Sequence, residues 1–317
     1  MTISRPEEGT TLDRAVRRPM HGPVVVGYDE SPEAQAALLW AAEWAAVRGA
    51  RLVVVYAVSP PPALPWASAS VAPAPDVLRR AADRIARRGA AQMRRLHPDL
   101  DVRELGAVGS PAAELVAMSQ SAELVVVGRR AAAARADTSM GSVSFALGMH
   151  ARCPVVVVQG TAGVVGPAHP VVVGVDASRP SVRALQFAAS AAAATAAELV
   201  VVSAWSGPRQ EPWMADLFAD SGAAAARLSD GDSGRAAASI REAIALVDGW
   251  HPEVHVIARA PQGPAQEVLL QEASGAGLLV VGSRGQGGFA GLELGSVSRS
   301  LLRGADLPVA VVRDGGM

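Results

Sequence analysis

Short unbroken runs of valine and leucine recur along this chain, each followed by residues in which apolar positions return at helical spacing. VVVGY (24–28), LVVVYAV (52–58), a weaker LDVRELGA (100–107), LVVVG (124–128) and PVVVV (154–158) mark five strands. VVVGV (171–175), LVVVSAW (199–205), VHVIARA (254–260), LLVVG (278–282) and PVAVV (308–312) mark five more. Continuous rather than alternating apolar runs belong to strands buried on both faces, as in a parallel sheet covered by helices. The segments between the runs are alanine-rich. In SPEAQAALLWAAEWAAVRG (31–49), Ser31 fits an N-cap, Pro32 the first helical position and Gly49 the stop. Leu38, Ala41, Ala42 and Ala45 share one face, and small side chains let that face lie close on the sheet.

The two series are one unit written twice. VVVGYD at 24–29 meets VVVGVD at 171–176, an offset of 147 residues at which Ser31 also meets Ser178 and Pro65-Trp66 meets Pro212-Trp213. Later the offset becomes 154: His97-Pro98 meets His251-Pro252, and the Gly-Ser-Val-Ser run at 141–144 meets that at 295–298. The second copy therefore holds seven additional residues, expected between its second strand and second helix. The expectation is two tandem doubly wound α/β domains at 21–160 and 168–317, after a flexible N-terminal tail (1–20) and joined by the linker 159–169. A length of 317 residues agrees with a prior of roughly 100–200 residues per domain.

Composition narrows the chemistry. Half the residues are hydrophobic but only 4% are aromatic, so the core is built from alanine, valine and leucine. There is no lysine and no asparagine. That excludes a Walker-type phosphate loop, a protein kinase, Schiff-base catalysis on lysine and N-glycosylation. A net charge of −1 gives no bulk attraction to nucleic acid or to an anionic membrane. The arginine-rich stretch 79–95 lacks interleaved aromatics and reads as a solvated helix face. The lone Cys153 suits a reducing compartment and a small buried hydrophobe. The first 22 residues lack an apolar signal core, and no uncharged apolar stretch of about 18 residues appears. Neither nucleic acid nor membrane is expected as a partner, and the expected location is cytoplasmic.

The densest motif follows the fourth strand of the second copy: Gly282-Ser283-Arg284-Gly285, nine residues, then Gly295-Ser296. Glycines there permit positive φ and leave N–H groups uncovered, and a curled run of such groups cradles an anion. The helix beginning at Ser296 adds free N–H groups and the positive end of its dipole. The hydroxyls of Ser296 and Ser298 are read as further donors, and Arg284 as a counter-charge for phosphate. The bland reading is a glycine loop used for close packing.

This pattern, G-x₂-G-x₉-G-[ST] with D-x-S after the first strand, resembles the universal stress protein family in its tandem form, over nearly all of residues 22–313. The resemblance implies a five-stranded parallel sheet of order 3-2-1-4-5 in each copy. It also implies ATP in the cleft between first and fourth strands, with magnesium able to bridge its phosphates. On the second copy it places Gly174, Val175 and Asp176 along the adenosine and Ala204 at adenine. Val281 and Gly282 lie against ribose and phosphates, and Arg284, Gly285, Gly295, Ser296, Val297 and Ser298 hold the triphosphate. The matching first-copy residues are Gly27, Tyr28, Asp29, Ala57, Val127, Gly128, Arg130, Gly141, Ser142, Val143 and Ser144. There the pattern fails at Ala131, which stands where Gly285 stands. If Gly285 is left-handed, alanine at that position is strained. The second copy is therefore expected to bind more tightly, with Arg129, Arg130 and Arg135 keeping some positive charge at the first.

The implied function is a nucleotide-dependent switch in stress response. The competing reading is a slow ATPase or a nucleotidyl-transfer enzyme, against which stands the lack of a catalytic base in the motif. No residue is assigned a catalytic or metal-binding role. Asp29 and Asp176 are either helix caps or ribose contacts. His97 and His251 read as surface turn residues and His255 as a structural residue of the third strand. The Pro-Trp loops at 59–75 and 206–222 are either lids or surface loops. The resemblance also implies that the two copies pair through PVVVV and PVAVV as an intrachain pseudo-dimer, compatible with further dimerisation of the chain.

Overall fold

The computed structural model describes residues 22–60, 74–129, 142–159, 165–206, 222–286 and 294–314. The N-terminal tail, Arg130, Ala131, Arg135, Gly141 and the centres of both Pro-Trp loops lie outside the described residues. The first copy runs β1 (Val24–Gly27), α1 (Pro32–Arg48), β2 (Leu52–Val58), α2 (Pro75–Leu96), β3 (Val102–Val108), α3 (Pro111–Met118), β4 (Leu124–Gly128), α4 (Ser142–His150) and β5 (Val155–Val158). The second runs β6 (Val171–Gly174), α5 (Arg179–Thr195), β7 (Leu199–Val202), α6 (Gly222–Trp250), β8 (Val256–Arg259), α7 (Ala265–Glu272), β9 (Leu278–Gly282), α8 (Ser296–Gly304) and β10 (Val309–Val312).

Each copy is a parallel sheet of the expected order, 3-2-1-4-5. The valine runs are buried on both faces, as their lack of alternation required. Val24 and Val26 sit under α1 and α2, while Val25 faces the opposite layer with Leu115 of α3 and Leu147 of α4. On α1 the predicted face is the buried one, with Leu38, Ala41, Ala42 and Ala45 fully covered. Ser31 caps that helix by accepting from the Ala34 N–H at 3.2 Å, and Gly49 ends it at φ 61°. The matching stop of α5 is Ala196, which holds φ 52° without being glycine.

Two expectations need correction. The seven additional residues do not lie between strand and helix. Helix α6 starts at the 147-residue offset from α2 and ends at the 154-residue offset, so its 29 residues against 22 absorb the insertion. Seven residues are close to two helical turns, so an insertion of that length adds rise while nearly preserving the buried face. The third strand of the second copy is also shorter than its apolar run. His255 precedes β8, is exposed, and pairs with Glu198 at 3.0 Å.

The two sheets join into one of ten strands, with β5 and β10 pairing antiparallel. Val156 faces Ala310, its own counterpart at the 154-residue offset, so a pseudo-two-fold axis passes through that pair. On one face Trp44 of α1 stacks between Trp40 and Phe187 of α5, at 5.3 and 5.8 Å. On the other, Gly148 of α4 packs against Leu294 and Leu302 of the second copy.

Candidate functional site

The carboxyl ends of β6, β7 and β9 surround a cavity of about 530 Å³. Every second-copy residue singled out from the sequence lines it, from Gly174 and Asp176 through Gly282 and Arg284 to Ser298. Close packing explains two of the glycines. A Cβ on Gly174 would come within 3.1 Å of Leu269, and one on Gly282 within 2.8 Å of the Pro180 backbone, where β9 passes the start of α5. Gly295 caps α8, and its N–H donates to the Ser283 carbonyl at 2.7 Å. Ser296 opens the helix with its side chain exposed. Ser298 behaves differently from the expected free donor. It is buried, and its hydroxyl donates to the carbonyls of Ser283 and Gly295 at 3.0 and 3.1 Å. It therefore fastens the loop to the end of β9.

Asp176 closes the glycine loop from the other side. One carboxylate oxygen accepts from the Ser178 N–H at 3.0 Å and the other from the Gln286 N–H at 2.8 Å. The Ser178 hydroxyl donates to the Arg284 carbonyl at 3.4 Å. Gly285 is not left-handed, which corrects the expected reason for a glycine at that position. Its Cβ would lie 2.3 Å from the Asp176 carboxylate, so the side chain is excluded by collision. The left-handed residue is instead Ala177, at φ 59°, and its counterpart Glu30 holds φ 65°. Non-glycine residues in that region are strained, and such strain concentrates at functional sites. Residue type carries no sign of this, since neither residue is glycine or asparagine. Ser181, Leu269 and Gln286 also line the cavity and were not foreseen.

The first copy holds a smaller cavity, about 350 Å³. Gly27, Tyr28, Asp29, Ala57, Val127, Gly128 and Val143 line it as expected. Ser142 and Ser144 do not; Ser144 is buried within α4. The Tyr28 ring lies under α2 against Gly89, its hydroxyl meets Gln35 at 3.4 Å, and burial pushes its phenol above the usual range. Asp29 accepts from both the N–H and the hydroxyl of Ser31, at 3.1 and 2.5 Å. Glu33 lines this cavity where the second copy has Pro180. The Arg129 guanidinium, expected near the phosphates, instead donates to the Arg303 carbonyl at the end of α8, where a cation complements the helix dipole.

The remaining candidates stay away from both cavities. His97 lies 3.6 Å from Glu43, and His251 contacts Ser190 at 3.3 Å and Glu253 at 3.1 Å. Cys153 is buried, which pushes its thiol up to about 12. The arginine-rich α2 is partly neutralised through Arg88–Glu30, Arg94–Glu104 and Arg79–Asp83. Among the described residues, no group of three or more His, Cys, Asp or Glu could hold a metal ion, and no helix is long and apolar enough to cross a membrane.

The sequence model of the universal stress protein family matches twice, over residues 20–159 and 167–313. A universal stress protein of Mycolicibacterium smegmatis is 32% identical over 298 residues, covering 92% of this chain and 96% of that one. Another, of Mycobacterium tuberculosis, is 33% identical over 309 residues, covering 93% and 98%. Among solved structures, a universal stress protein from Archaeoglobus fulgidus superimposes with a TM-score of 0.64 at 18% identity, over 93% of this chain and 97% of that one. That likeness speaks for the fold.

Proposed function

This chain belongs to the universal stress protein family, and from that premise we propose that it is an ATP-binding regulatory protein of the stress response. The observation that carries the reading is convergence. Residues picked from three separated stretches of the second copy line one cavity, at the carboxyl end of a parallel sheet and the N-terminus of α8. Adenosine fits against the apolar wall of Val202, Ala204, Leu269 and Val281. The phosphates lie toward Arg284 and the α8 N-terminus, where the helix donors favour an anion. Magnesium, if bound, would offset phosphate charge, and among the described residues no cluster of His, Cys, Asp or Glu would hold it. The two copies act as one intrachain pseudo-dimer, and the protein works in the cytoplasm, where ATP is held.

Binding rather than fast turnover is favoured by the state of Asp176. Among the described residues it is the one carboxylate lining the second cavity, and both its oxygens already accept backbone N–H groups. A general base must lie within hydrogen-bond reach of the attacking water, and these two bonds hold the Asp176 carboxylate to the Ser178 and Gln286 backbone. Mass spectrometry of small molecules released from the purified chain tests the reading, with calorimetric titration of ATP against GTP. ATP is expected in the released fraction and as the tighter titrant. Absence of ATP binding by both measurements overturns the reading, and several turnovers per second would move the protein to the enzyme class.

A further inference from the structure

Helix α8 starts in the wall of the second cavity, and its seat is built partly by the other copy. Ser296, Val297 and Ser298, its first three residues, line the cavity. With nine residues the helix spans only about 13 Å, too short to be stable by its own hydrogen bonds, so the contacts at its ends decide where it sits. Some of those contacts lie within the second copy: the Ser298 hydroxyl and the Gly295 N–H both donate to the Ser283 carbonyl. Others come from the first. Leu294, the residue before the helix cap, is buried, and a Cβ on Gly148 of α4 would lie 3.6 and 3.7 Å from its two methyl groups and 3.8 Å from Leu302. At the far end, the carbonyl of Arg303 is one of the four that a helix leaves without an internal partner, and it accepts from the Arg129 guanidinium of the first copy.

The arginine contact is not a by-product of the internal symmetry. At the 154-residue offset Arg129 meets Ser283, a short side chain that is itself buried. The first copy thus holds α8 at both ends without touching the second cavity. Hydrogen bonds from backbone N–H groups weaken steeply outside a narrow range of distance and angle, so a small shift of α8 is felt by an anion at its N-terminus. We propose that Gly148 and Arg129 are positioning residues for the second cavity: they meet no ligand, and they fix α8 where its first N–H groups reach phosphate. The ATP affinity of the second copy is in this way set partly by the first. The ligand in this proposal rests on the ATP reading of the second cavity; the seat of α8 rests on the contacts alone.

The test is calorimetric, with ATP and magnesium on the full chain; the second cavity is the site whose affinity Gly285→Ala lowers. Gly148→Leu takes the space that the Leu294 methyl groups occupy and should weaken that site at least threefold. Gly148→Ala adds only an ordinary contact and should leave it within twofold. Leu294→Ala in the Gly148→Leu chain returns the space and should restore the affinity to within twofold of the unmodified chain. Arg129→Ala removes an exposed bond and should also weaken the site at least threefold. Stoichiometry is expected to stay unchanged throughout, whereas a chain that merely folds less well binds less ATP at the same affinity. If Gly148→Leu lowers the stoichiometry instead of the affinity, Arg129→Ala decides alone. A loss below threefold in Arg129→Ala, a loss below threefold in Gly148→Leu at full stoichiometry, or a Gly148→Leu loss that Leu294→Ala does not restore overturns the proposal. An unmodified chain that binds no ATP overturns the ATP reading and the proposal with it; ATP binding that ignores these substitutions overturns the proposal alone.

Discussion

Replacing Gly285 with alanine tests how the glycine loop is held. The new Cβ would sit 2.3 Å from a carboxylate oxygen of Asp176, a separation at which something must move. If the loop withdraws, the Gln286 N–H loses its 2.8 Å bond to that oxygen; if the carboxylate turns, the Ser178 bond is lost as well. A hydrogen bond to a charged group contributes about 1.5–3 kcal/mol, and the exposure of Gln286 places this one near the lower end. At about 1.4 kcal/mol per tenfold, a loss of about 1.5–2 kcal/mol weakens ATP binding roughly 10- to 30-fold. Calorimetry at fixed magnesium reads this directly. Two controls separate collision from backbone strain. Gly285→Asn should fare no better than alanine, although asparagine tolerates left-handed backbone. In an Asp176→Ala background, where the obstacle is gone, Gly285→Ala should cost less than about twofold. A single Gly285→Ala affinity within twofold of the unmodified chain, or additive losses in the double variant, would refute the reasoning.

Three further outcomes follow from packing. Ala196→Gly should stabilise the chain by about 0.5–1 kcal/mol, read as a raised denaturation midpoint, because a left-handed alanine costs about 1–2 kcal/mol and glycine returns part of that as unfolded-state entropy; an unchanged or lowered midpoint contradicts this. Gln159 is buried, and among the described residues neither its amide nitrogen nor its oxygen is bonded, so Gln159→Met should stabilise by about 1–2 kcal/mol in urea unfolding, and a loss of stability would mean that the amide has a partner. Cys153 should resist alkylation at pH 8 until the chain unfolds, since burial both covers the thiol and holds it protonated up to about 12; labelling as fast as a free thiol at that pH argues against its placement.

Most of the strands were legible because fully buried parallel strands leave unbroken valine runs, and the offset between copies set each run beside its counterpart; their order came from the family resemblance alone. The second cavity was legible for a related reason: a glycine loop after a strand serves backbone geometry, which leaves a residue-type signature. What stayed hidden depends on side-chain direction. Ser298 reads as a donor from its type, but its hydroxyl is turned to Ser283. Arg129 reads as a phosphate partner from its position, but its reach takes it to Arg303. Strain at Ala177 and Glu30 leaves no trace in residues that elsewhere prefer helices. The heptad inside α6 was misplaced because an insertion of nearly two turns leaves the periodicity on both sides intact.

The junction explains why the two cavities are free to diverge. β5 and β10 pair antiparallel, so the carboxyl ends of the first five strands point opposite to those of the second five. The cavities therefore open at opposite ends of one continuous sheet, and among the described residues neither copy lines the other's cavity. A change such as Glu33 for Pro180 alters one cavity without disturbing its twin. The same geometry brings the end of β4 next to the start of β10, which is why Arg129 can reach the end of α8 and why Leu294 is buried beside Gly148. Symmetry about Val156 and Ala310 is thus kept where the copies share a core, and relaxed at the strand ends, where each copy has its own cavity to shape.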